Sequence, residues 1–236
     1  MLNLTISHPF ATKQKVSGPQ CFILASALPA LVITIITFLK WSRSGKSRQE
    51  EQRFFHVLQV ALLGLAVSIS LTAIVTDILK NWIARPRPDF LARCGAPRDK
   101  FSSQFVNLGV CTAPYGMGEL LDGLRSTPSG HSSISFASFL YLTLWLLAQF
   151  ELTKSPPQHM YKHILVWLPL LFASYVSLSR VQDYRHHFTD VIFGTLIGCL
   201  FAWIVFHHYW EGLRSIDCSL PKTWNEPKEN ATILPI

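Results

Sequence analysis

Residues 179–190 read SRVQDYRHHFTD and lie between two apolar runs, residues 164–178 and 191–209. If a helix begins at about His186, then His186 and Asp190 stand four residues apart on one helix face. The carboxylate can then accept one imidazole N–H, which leaves the other ring nitrogen with its lone pair facing outward. An oriented imidazole beside Arg180 suits attack on an anionic group, and phosphate fits best. The alternative is a basic loop that faces lipid headgroups.

The composition indicates a membrane protein. Of the 236 residues 49% are hydrophobic and only 15% are charged, whereas soluble domains carry about a quarter charged residues. Five apolar runs approach the ~20 residues that a spanning helix needs, although residues 164–178 are short unless their flanks join them. The runs are residues 21–39, 54–79, 133–150, 164–178 and 191–209. We therefore expect an all-α, polytopic transmembrane helical bundle with about five spans.

The runs divide the chain into three parts. Residues 1–19 form a polar N-terminal segment, residues 20–210 a membrane-embedded domain with site loops at 80–132 and 179–190, and residues 211–236 a polar, loosely ordered tail. Counting the spans places both loops on the same side of the membrane. The segment 40–53 on the opposite side holds five Lys or Arg residues, which is typical of a cytosolic loop. We therefore expect the site loops to face a lumen or the extracellular space.

The net charge of +7 comes largely from loops between spans. Membrane phospholipid and the bilayer are therefore the expected partners, and nucleic acid is not. The sequence has no carboxylate cluster suited to Mg²⁺ and no zinc-type cysteine spacing, so no metal or other cofactor is predicted. Cys94 and Cys111 share one loop and could form a disulfide if that loop faces an oxidising compartment. The oligomeric state is not predicted.

The loop 80–132 begins with Lys80, and Arg87-Pro88 follows after six intervening residues. Two cations at the mouth of a span can hold the oxygens of a phosphate, Arg87 as a planar fork and Lys80 as a point charge. The alternative is a pair of cations that extend toward the membrane surface from a helix end.

The same loop ends with TPSGH at residues 127–131, directly before an apolar run. Ser129 is a candidate cap for the helix that starts there, and Gly130 allows a ligand to approach the backbone. The free N–H groups of the first helical turn would then bind an anion, with His131 placed to protonate a leaving oxygen. An ordinary capped helix with an interfacial histidine is the alternative.

Taken together, the three motifs resemble those of the type 2 phosphatidic acid phosphatase (lipid phosphate phosphatase) superfamily. That family's motifs read Lys-x6-Arg-Pro, Pro-Ser-Gly-His and Ser-Arg-x5-His-x3-Asp, and all three occur here in this order. The sequences of residues 85–90 and 182–188 are similar to those of the fungal diacylglycerol pyrophosphate phosphatase branch of this family. The resemblance covers roughly residues 20–210.

The resemblance implies a metal-independent hydrolysis of lipid phosphates such as phosphatidic acid, diacylglycerol pyrophosphate or lysophosphatidic acid. His186 would attack phosphorus, oriented by Asp190, and His131 would protonate the departing oxygen. The implied phosphate-binding groups are Lys80, Arg87, Ser129, Gly130 and Arg180. The neighbouring His187 is a poorer nucleophile candidate because it is offset by about 100° on a helix.

Some alternatives remain open at this point. Members of the family typically have six spans, and the first is the one without a counterpart here, so a truncated inactive form is one alternative. A non-catalytic relative that binds lipid phosphate is another. A vanadate-dependent haloperoxidase has a similar site, but such enzymes are generally soluble. Finally, Gly194 and Gly198 in the last run predict a close helix approach inside the bundle.

Overall fold

The computed structural model describes residues 4–45, 47–95, 108–154 and 159–224. These residues form an all-α fold, and the only strand-like pairing among them is an isolated bridge between Trp210 and Pro221. The α-helices are α1 (Gly18–Arg43), α2 (Arg48–Ile83), α3 (Phe90–Cys94), α4 (Met117–Asp122), α5 (Gly130–Gln149), α6 (Met160–Gln182) and α7 (Phe188–Tyr209).

Five of these helices, α1, α2, α5, α6 and α7, are long and apolar enough to cross a membrane. The predicted polytopic bundle with five spans is therefore confirmed. The run at 164–178 gives a full span because both polar flanks join it and α6 reaches 23 residues. At 36 residues α2 is longer than a bilayer requires, so its ends extend toward the aqueous loops.

Local sequence explains where the first two spans begin. Ser17 Oγ accepts the N–H of Gln20 at 3.4 Å, while Gln20 Oε1 accepts the N–H of Ser17 at 2.9 Å. This reciprocal capping satisfies two N–H groups that a helix start otherwise leaves without partners. Ser47 caps α2 by accepting the N–H of Glu50 at 3.2 Å. The serine directly before each helix therefore marks where it starts.

Helix α5 lies at the centre of the bundle and packs against α1, α2, α6 and α7. Its most apolar window is 72% buried, against 22% for α1. Large side chains fill the middle of the bundle, with Tyr141 and Trp145 of α5 and Phe206 of α7 fully buried. The helix that carries the second motif is thus the one held most firmly by its neighbours.

Two glycines bring α7 into backbone contact with α5. A Cβ added at Gly194 would lie 2.4 Å from the carbonyl oxygen of Ser129, and one at Gly198 would lie 2.3 Å from that of Ser133. The close approach predicted from these glycines is confirmed, and it occurs inside the bundle. It places the first turn of α7 beside the first turn of α5.

The two terminal segments pack on opposite ends of the bundle. Residues 5–17 lie over the end where α5 and α7 begin, with Val16 O within 3.2 Å of His131 Nε2. Residues 211–224 lie at the other end, where Ser219 O accepts a bond from Gln149 Nε2 at 2.8 Å. The expectation of a loosely ordered tail is wrong for residues 211–224, because Cys218 is buried and the backbone is hydrogen bonded. Residues 225–236 lie outside the described residues.

The contact between α5 and α7 gives a first prediction. Gly198→Ala places a methyl group 2.3 Å from a backbone oxygen and 2.9 Å from the backbone nitrogen of Ala137, and neither atom can rotate away. We expect the free energy of unfolding to fall by about 1–3 kcal/mol, as in other overpacked cores. A lower melting temperature in detergent would show this loss. Gly18→Ala is the matched control, since nothing lies within 4 Å of its added Cβ. Equal melting temperatures for the two variants would contradict this packing.

Candidate active site

The three motifs meet at one end of the bundle. Lys80 lies in the last turn of α2 and Arg87 follows that helix, while Arg180 lies in the last turn of α6. Ser129 precedes α5, and Asp190 lies in the first turn of α7. Because α2 and α6 end where α5 and α7 begin, residues far apart in sequence share one site.

Asp190 is the centre of this arrangement. Its carboxylate is fully buried and receives hydrogen bonds from Arg85 Nη1 at 2.8 Å, Ser126 Oγ at 2.5 Å and Thr127 Oγ1 at 2.5 Å. The backbone N–H of His187 donates to it at 2.9 Å and His187 Nδ1 lies 3.2 Å away. Its backbone oxygen also accepts the N–H of Ser129 at 3.0 Å. One aspartate thereby joins the segments that carry all three motifs.

His186 does not make the direct bond to Asp190 that the sequence suggested. Helix α7 begins at Phe188 with His187 as its N-cap, so His186 precedes the helix and the expected helical spacing does not apply. His186 Nδ1 lies 4.0 Å from Asp190 Oδ2, beyond hydrogen-bond distance. It lies 2.7 Å from the backbone oxygen of Ser126 instead. The connection between the two residues therefore runs through Ser126, whose hydroxyl donates to Asp190.

This contact determines the state of the His186 ring. A carbonyl oxygen can only accept, so Nδ1 carries the hydrogen and the lone pair of the neutral ring lies on Nε2. Burial lowers the pKa of His186 well below its usual value of 6.5, and the positive charges of Arg87 and Lys80 lower this pKa further. A neutral imidazole with one fixed nitrogen and one lone pair is suited to nucleophilic attack.

The neighbouring His187 is engaged at both ring nitrogens. Its Nδ1 lies 3.2 Å from Asp190 Oδ2, and its Nε2 lies 3.1 Å from the backbone oxygen of Thr5. Neither nitrogen is free to attack a substrate in this arrangement. The geometry thus supports the preference for His186.

The three candidate cations differ in their partners. Lys80 makes no hydrogen bond or ion pair with the described part of the chain, and its Nζ lies against Gly130, 3.0 Å from where a Cβ would stand. Arg87 is buried and bonded to Asp122 through Nε and Nη2, at 2.9 and 2.8 Å. Its remaining group, Nη1, makes only a 3.4 Å contact with Arg185 O. The structure therefore leaves Lys80 fully available to an anion and Arg87 available chiefly through Nη1.

Arg180 is buried with a partner on each side-chain nitrogen. Nε donates to Ser179 Oγ at 3.2 Å, Nη1 to Gln14 Oε1 at 3.0 Å and Nη2 to Asp183 Oδ2 at 2.7 Å. The guanidinium plane is therefore fixed. Two N–H bonds, one on each Nη, remain for a ligand.

Helix α5 starts where the sequence predicted, directly after Ser129, but the predicted capping hydrogen bond is absent. Ser129 is the N-cap, yet its side chain makes no capping hydrogen bond. Its hydroxyl and that of Ser132 are buried and have no hydrogen-bond partner among the described residues. His131 follows, with its Nε2 held by Val16 O. Unsatisfied hydroxyls beside a helix N-terminus are groups that an oxyanion can satisfy.

Sequence reasoning missed four residues of this site, namely Arg85, Asp122, Ser126 and Thr127. Each adjoins a motif or binds one of its residues, yet none carries a motif pattern of its own. Arg85 stands two residues before Arg87, and Ser126 and Thr127 directly precede Pro-Ser-Gly-His. In the sequence, only their closeness to a motif could have marked these residues as part of the site. The tertiary contacts are needed to show what their side chains bind.

A network of ion pairs around the buried Arg93 fixes the loop beside the site. Arg93 is completely buried and pairs with Asp89 at 2.9 Å and with Glu119 at 2.8 Å. Arg185 of the third motif lies 3.4 Å from the same Glu119. The helices α3 and α4 are thereby tied to the segment before His186.

Cys94 and Cys111 form a disulfide in the structure, with sulfur atoms 2.08 Å apart. It joins the end of α3 to the segment before α4. The other cysteines, Cys21, Cys199 and Cys218, have free thiols.

The cysteine pairing gives the second prediction. Alkylation of the denatured, unreduced protein should modify three of the five cysteines, and mass spectrometry should find Cys94 and Cys111 unmodified. Prior reduction should make all five reactive, which is the control for access to the reagent. Modification of Cys94 and Cys111 without reduction would contradict the pairing.

Comparison with known proteins supports the arrangement of motifs. Diacylglycerol pyrophosphate phosphatase 1 of Saccharomyces cerevisiae is 41% identical over 224 residues, which cover 93% of this chain and 72% of that protein. The probable diacylglycerol pyrophosphate phosphatase 1 of Schizosaccharomyces pombe is 35% identical over 211 residues, 89% of this chain and 71% of that protein. Lipid phosphate phosphatase 2 of Arabidopsis thaliana is 34% identical over 180 residues, 76% of this chain and 57% of that protein.

No solved structure matches the chain. The family model of the PAP2 superfamily matches residues 61–214, a range that contains all three motifs. The chain belongs to the PAP2 superfamily.

Proposed function

We propose that this protein is an integral membrane lipid phosphate phosphatase. It hydrolyses phosphate monoesters or the pyrophosphate of lipids, with phosphatidic acid, diacylglycerol pyrophosphate and lysophosphatidic acid as candidate substrates. The observation that carries the proposal is the neutral, buried His186, whose Nδ1 is held by Ser126 O at 2.7 Å while Lys80 and Arg87 act on it electrostatically. The names of the fungal and plant relatives support the same class of substrate.

In the first step, the Nε2 lone pair of His186 attacks phosphorus. The bond from phosphorus to the lipid oxygen breaks, and that oxygen takes a proton from His131. The product is a phosphohistidine and a free lipid alcohol or, from a pyrophosphate, a lipid monophosphate. His131 Nε2 is held by Val16 O, so Nδ1 is the ring nitrogen that gives this proton. The two imidazoles thus take separate roles, His186 as nucleophile and His131 as acid.

In the second step, water attacks the phosphohistidine. His131 accepts the proton of the water, the phosphorus–nitrogen bond breaks, and the electron pair returns to Nε2 of His186. Inorganic phosphate leaves, and the site is restored. The same histidine thus serves as acid and then as base.

The charge of the transferring phosphoryl group is offset by fixed protein groups. Lys80, Arg87 and Arg180 supply positive charge, while the Ser129 hydroxyl and the Gly130 N–H supply neutral donors. In a buried site such donors act more strongly than in water and need no reorganisation during the reaction. These groups provide the stabilisation that other phosphatases obtain from metal ions, so we propose that the reaction is metal-independent.

The proposed orientation places the site on the lumenal or extracellular side. The supporting observations are the dense basic loop at 40–53 on the other side and the disulfide close to the site. Basic loops favour the cytosolic side, and disulfides persist in oxidising compartments.

The third prediction tests the proposed reaction. Wild-type protein in detergent micelles should release phosphate from phosphatidic acid and diacylglycerol pyrophosphate in excess EDTA, and His186→Ala should abolish release. His187→Ala is the matched control and should retain a measurable rate, because both ring nitrogens of His187 are engaged, by Asp190 and by Thr5 O, and neither attacks phosphorus. A folded wild type that binds the lipids without releasing phosphate would favour a non-catalytic binding role. Release that requires added metal would contradict the metal-independent mechanism.

The fourth prediction concerns the indirect link between Asp190 and His186. Ser126→Ala removes the hydroxyl that ties the Ser126 carbonyl to Asp190, so the His186 ring loses its fixed support. We expect kcat to fall at least about tenfold with little change in KM, because one hydrogen bond to a charged group is worth roughly that much.

Thr127→Val is the control for Ser126→Ala. It removes a hydrogen bond of equal length from the same carboxylate, but Thr127 makes no hydrogen bond with His186 among the described residues. It should therefore lower kcat much less. Equal losses in the two variants would show that Asp190 acts without Ser126.

A further inference from the structure

The N-terminal segment, residues 5–17, lies outside the three motifs and outside the family match at residues 61–214. The structure nevertheless anchors it across the site. The N–H of His8 donates to Pro88 O at 2.9 Å, and the His8 ring stacks on Tyr184 at 4.5 Å. These contacts attach the segment to both site loops.

Phe10 provides a second anchor. Its ring lies 4.4 Å from the guanidinium of Arg185 and 5.0 Å from that of Arg93, and it stacks on Tyr115 at 4.2 Å. The next residue, Ala11, accepts a hydrogen bond from Arg185 Nη2 at 2.9 Å. Aromatic contacts with two cations are worth more in a desolvated setting than on an open surface, so this part of the segment has a fixed path.

That path places Gln14 at the phosphate-binding arginine. Gln14 Oε1 accepts from Arg180 Nη1 at 3.0 Å, opposite the bond from Nη2 to Asp183. The following residue, Lys15, donates its backbone N–H to the same Asp183 carboxylate at 2.9 Å. The motif itself supplies no partner for Nη1 among the described residues. Without Gln14, Nη1 of Arg180 would lose the hydrogen bond that fixes its orientation.

We propose that Gln14 is a positioning residue of the active site, which holds Arg180 in the orientation that binds the phosphoryl group. The inference rests on the proposed function, since it takes Arg180 as a phosphate ligand. Val16 of the same segment holds His131 through its backbone oxygen, so the segment supports the proposed acid as well. The site is thus completed by residues that belong to none of the motifs.

The test compares Gln14→Ala, Gln14→Met and Lys13→Ala. Gln14→Ala removes the acceptor and most of the side chain, whereas Gln14→Met removes the acceptor but keeps a side chain of similar length. Lys13 is exposed and adjacent, so Lys13→Ala controls for a general change in the segment. Two properties are measured for each variant: the KM and kcat for phosphatidic acid, and the Kd for inorganic phosphate from the rise in melting temperature.

We expect Gln14→Ala to raise the KM and the Kd for phosphate about tenfold, the value of one hydrogen bond to a charged group, with a smaller effect on kcat. Gln14→Met should raise both constants to the same extent, and Lys13→Ala should leave them unchanged. The inference is overturned if Gln14→Ala behaves like Lys13→Ala, or if Gln14→Met keeps the wild-type constants in a folded protein.

The phosphate titration separates this inference from the proposed function. A wild type that binds phosphate but hydrolyses nothing refutes the proposed function, and the comparison of Kd values still decides the role of Gln14. A wild type that neither binds nor releases phosphate overturns both.

Discussion

The site depends on the burial of a single carboxylate. Asp190 is inaccessible to solvent, and a buried charge is costly unless it is fully hydrogen bonded. Arg85, Ser126 and Thr127 supply side-chain donors, and His187 supplies its N–H and ring. These donors come from the loop after α2, the loop before α5 and the start of α7. Satisfying the charge therefore requires the three segments to meet, which assembles the site.

The helix packing makes that meeting possible. Gly194 and Gly198 let the backbone of α7 contact the backbone of α5, so the two helix starts lie side by side. Once they are adjacent, Asp190 on α7 can reach Ser126 and Thr127 before α5. The desolvated setting has a chemical consequence as well, since the burial that requires Asp190 to be paired also keeps His186 neutral.

The sequence predicted the spans well because they follow from a local pattern, and the three motifs that it singled out lie at one end of the bundle. Apolar runs of sufficient length must form helices in a bilayer, where backbone groups have no water to bond. Alternating crossings then place the loops 80–132 and 179–190 on one side. The partners within the site were less predictable. The bond between His186 and Asp190 was expected from a helix that begins at His186, and a start only two residues later removed it.

Tertiary contacts account for the other differences. The roles of Arg85 and Ser126 depend on how α5 packs against α7, which no local pattern encodes. The N-terminal segment is polar and too short to cross a membrane, and the sequence excluded only that role. It gave no sign that Gln14 contacts Arg180. The tail at 211–224 packs against the end of α5 through Gln149, a contact that its composition did not indicate.

The central claim is that His186 becomes phosphorylated during turnover. The most direct measurement is to incubate the protein with phosphatidic acid that carries a radiolabelled phosphate, quench in alkali, and map the label by peptide mass spectrometry. The account predicts an acid-labile, alkali-stable label on His186 that is absent from His186→Ala and present in His187→Ala. A label on another residue, or single-turnover phosphate release with no covalent intermediate, would contradict it.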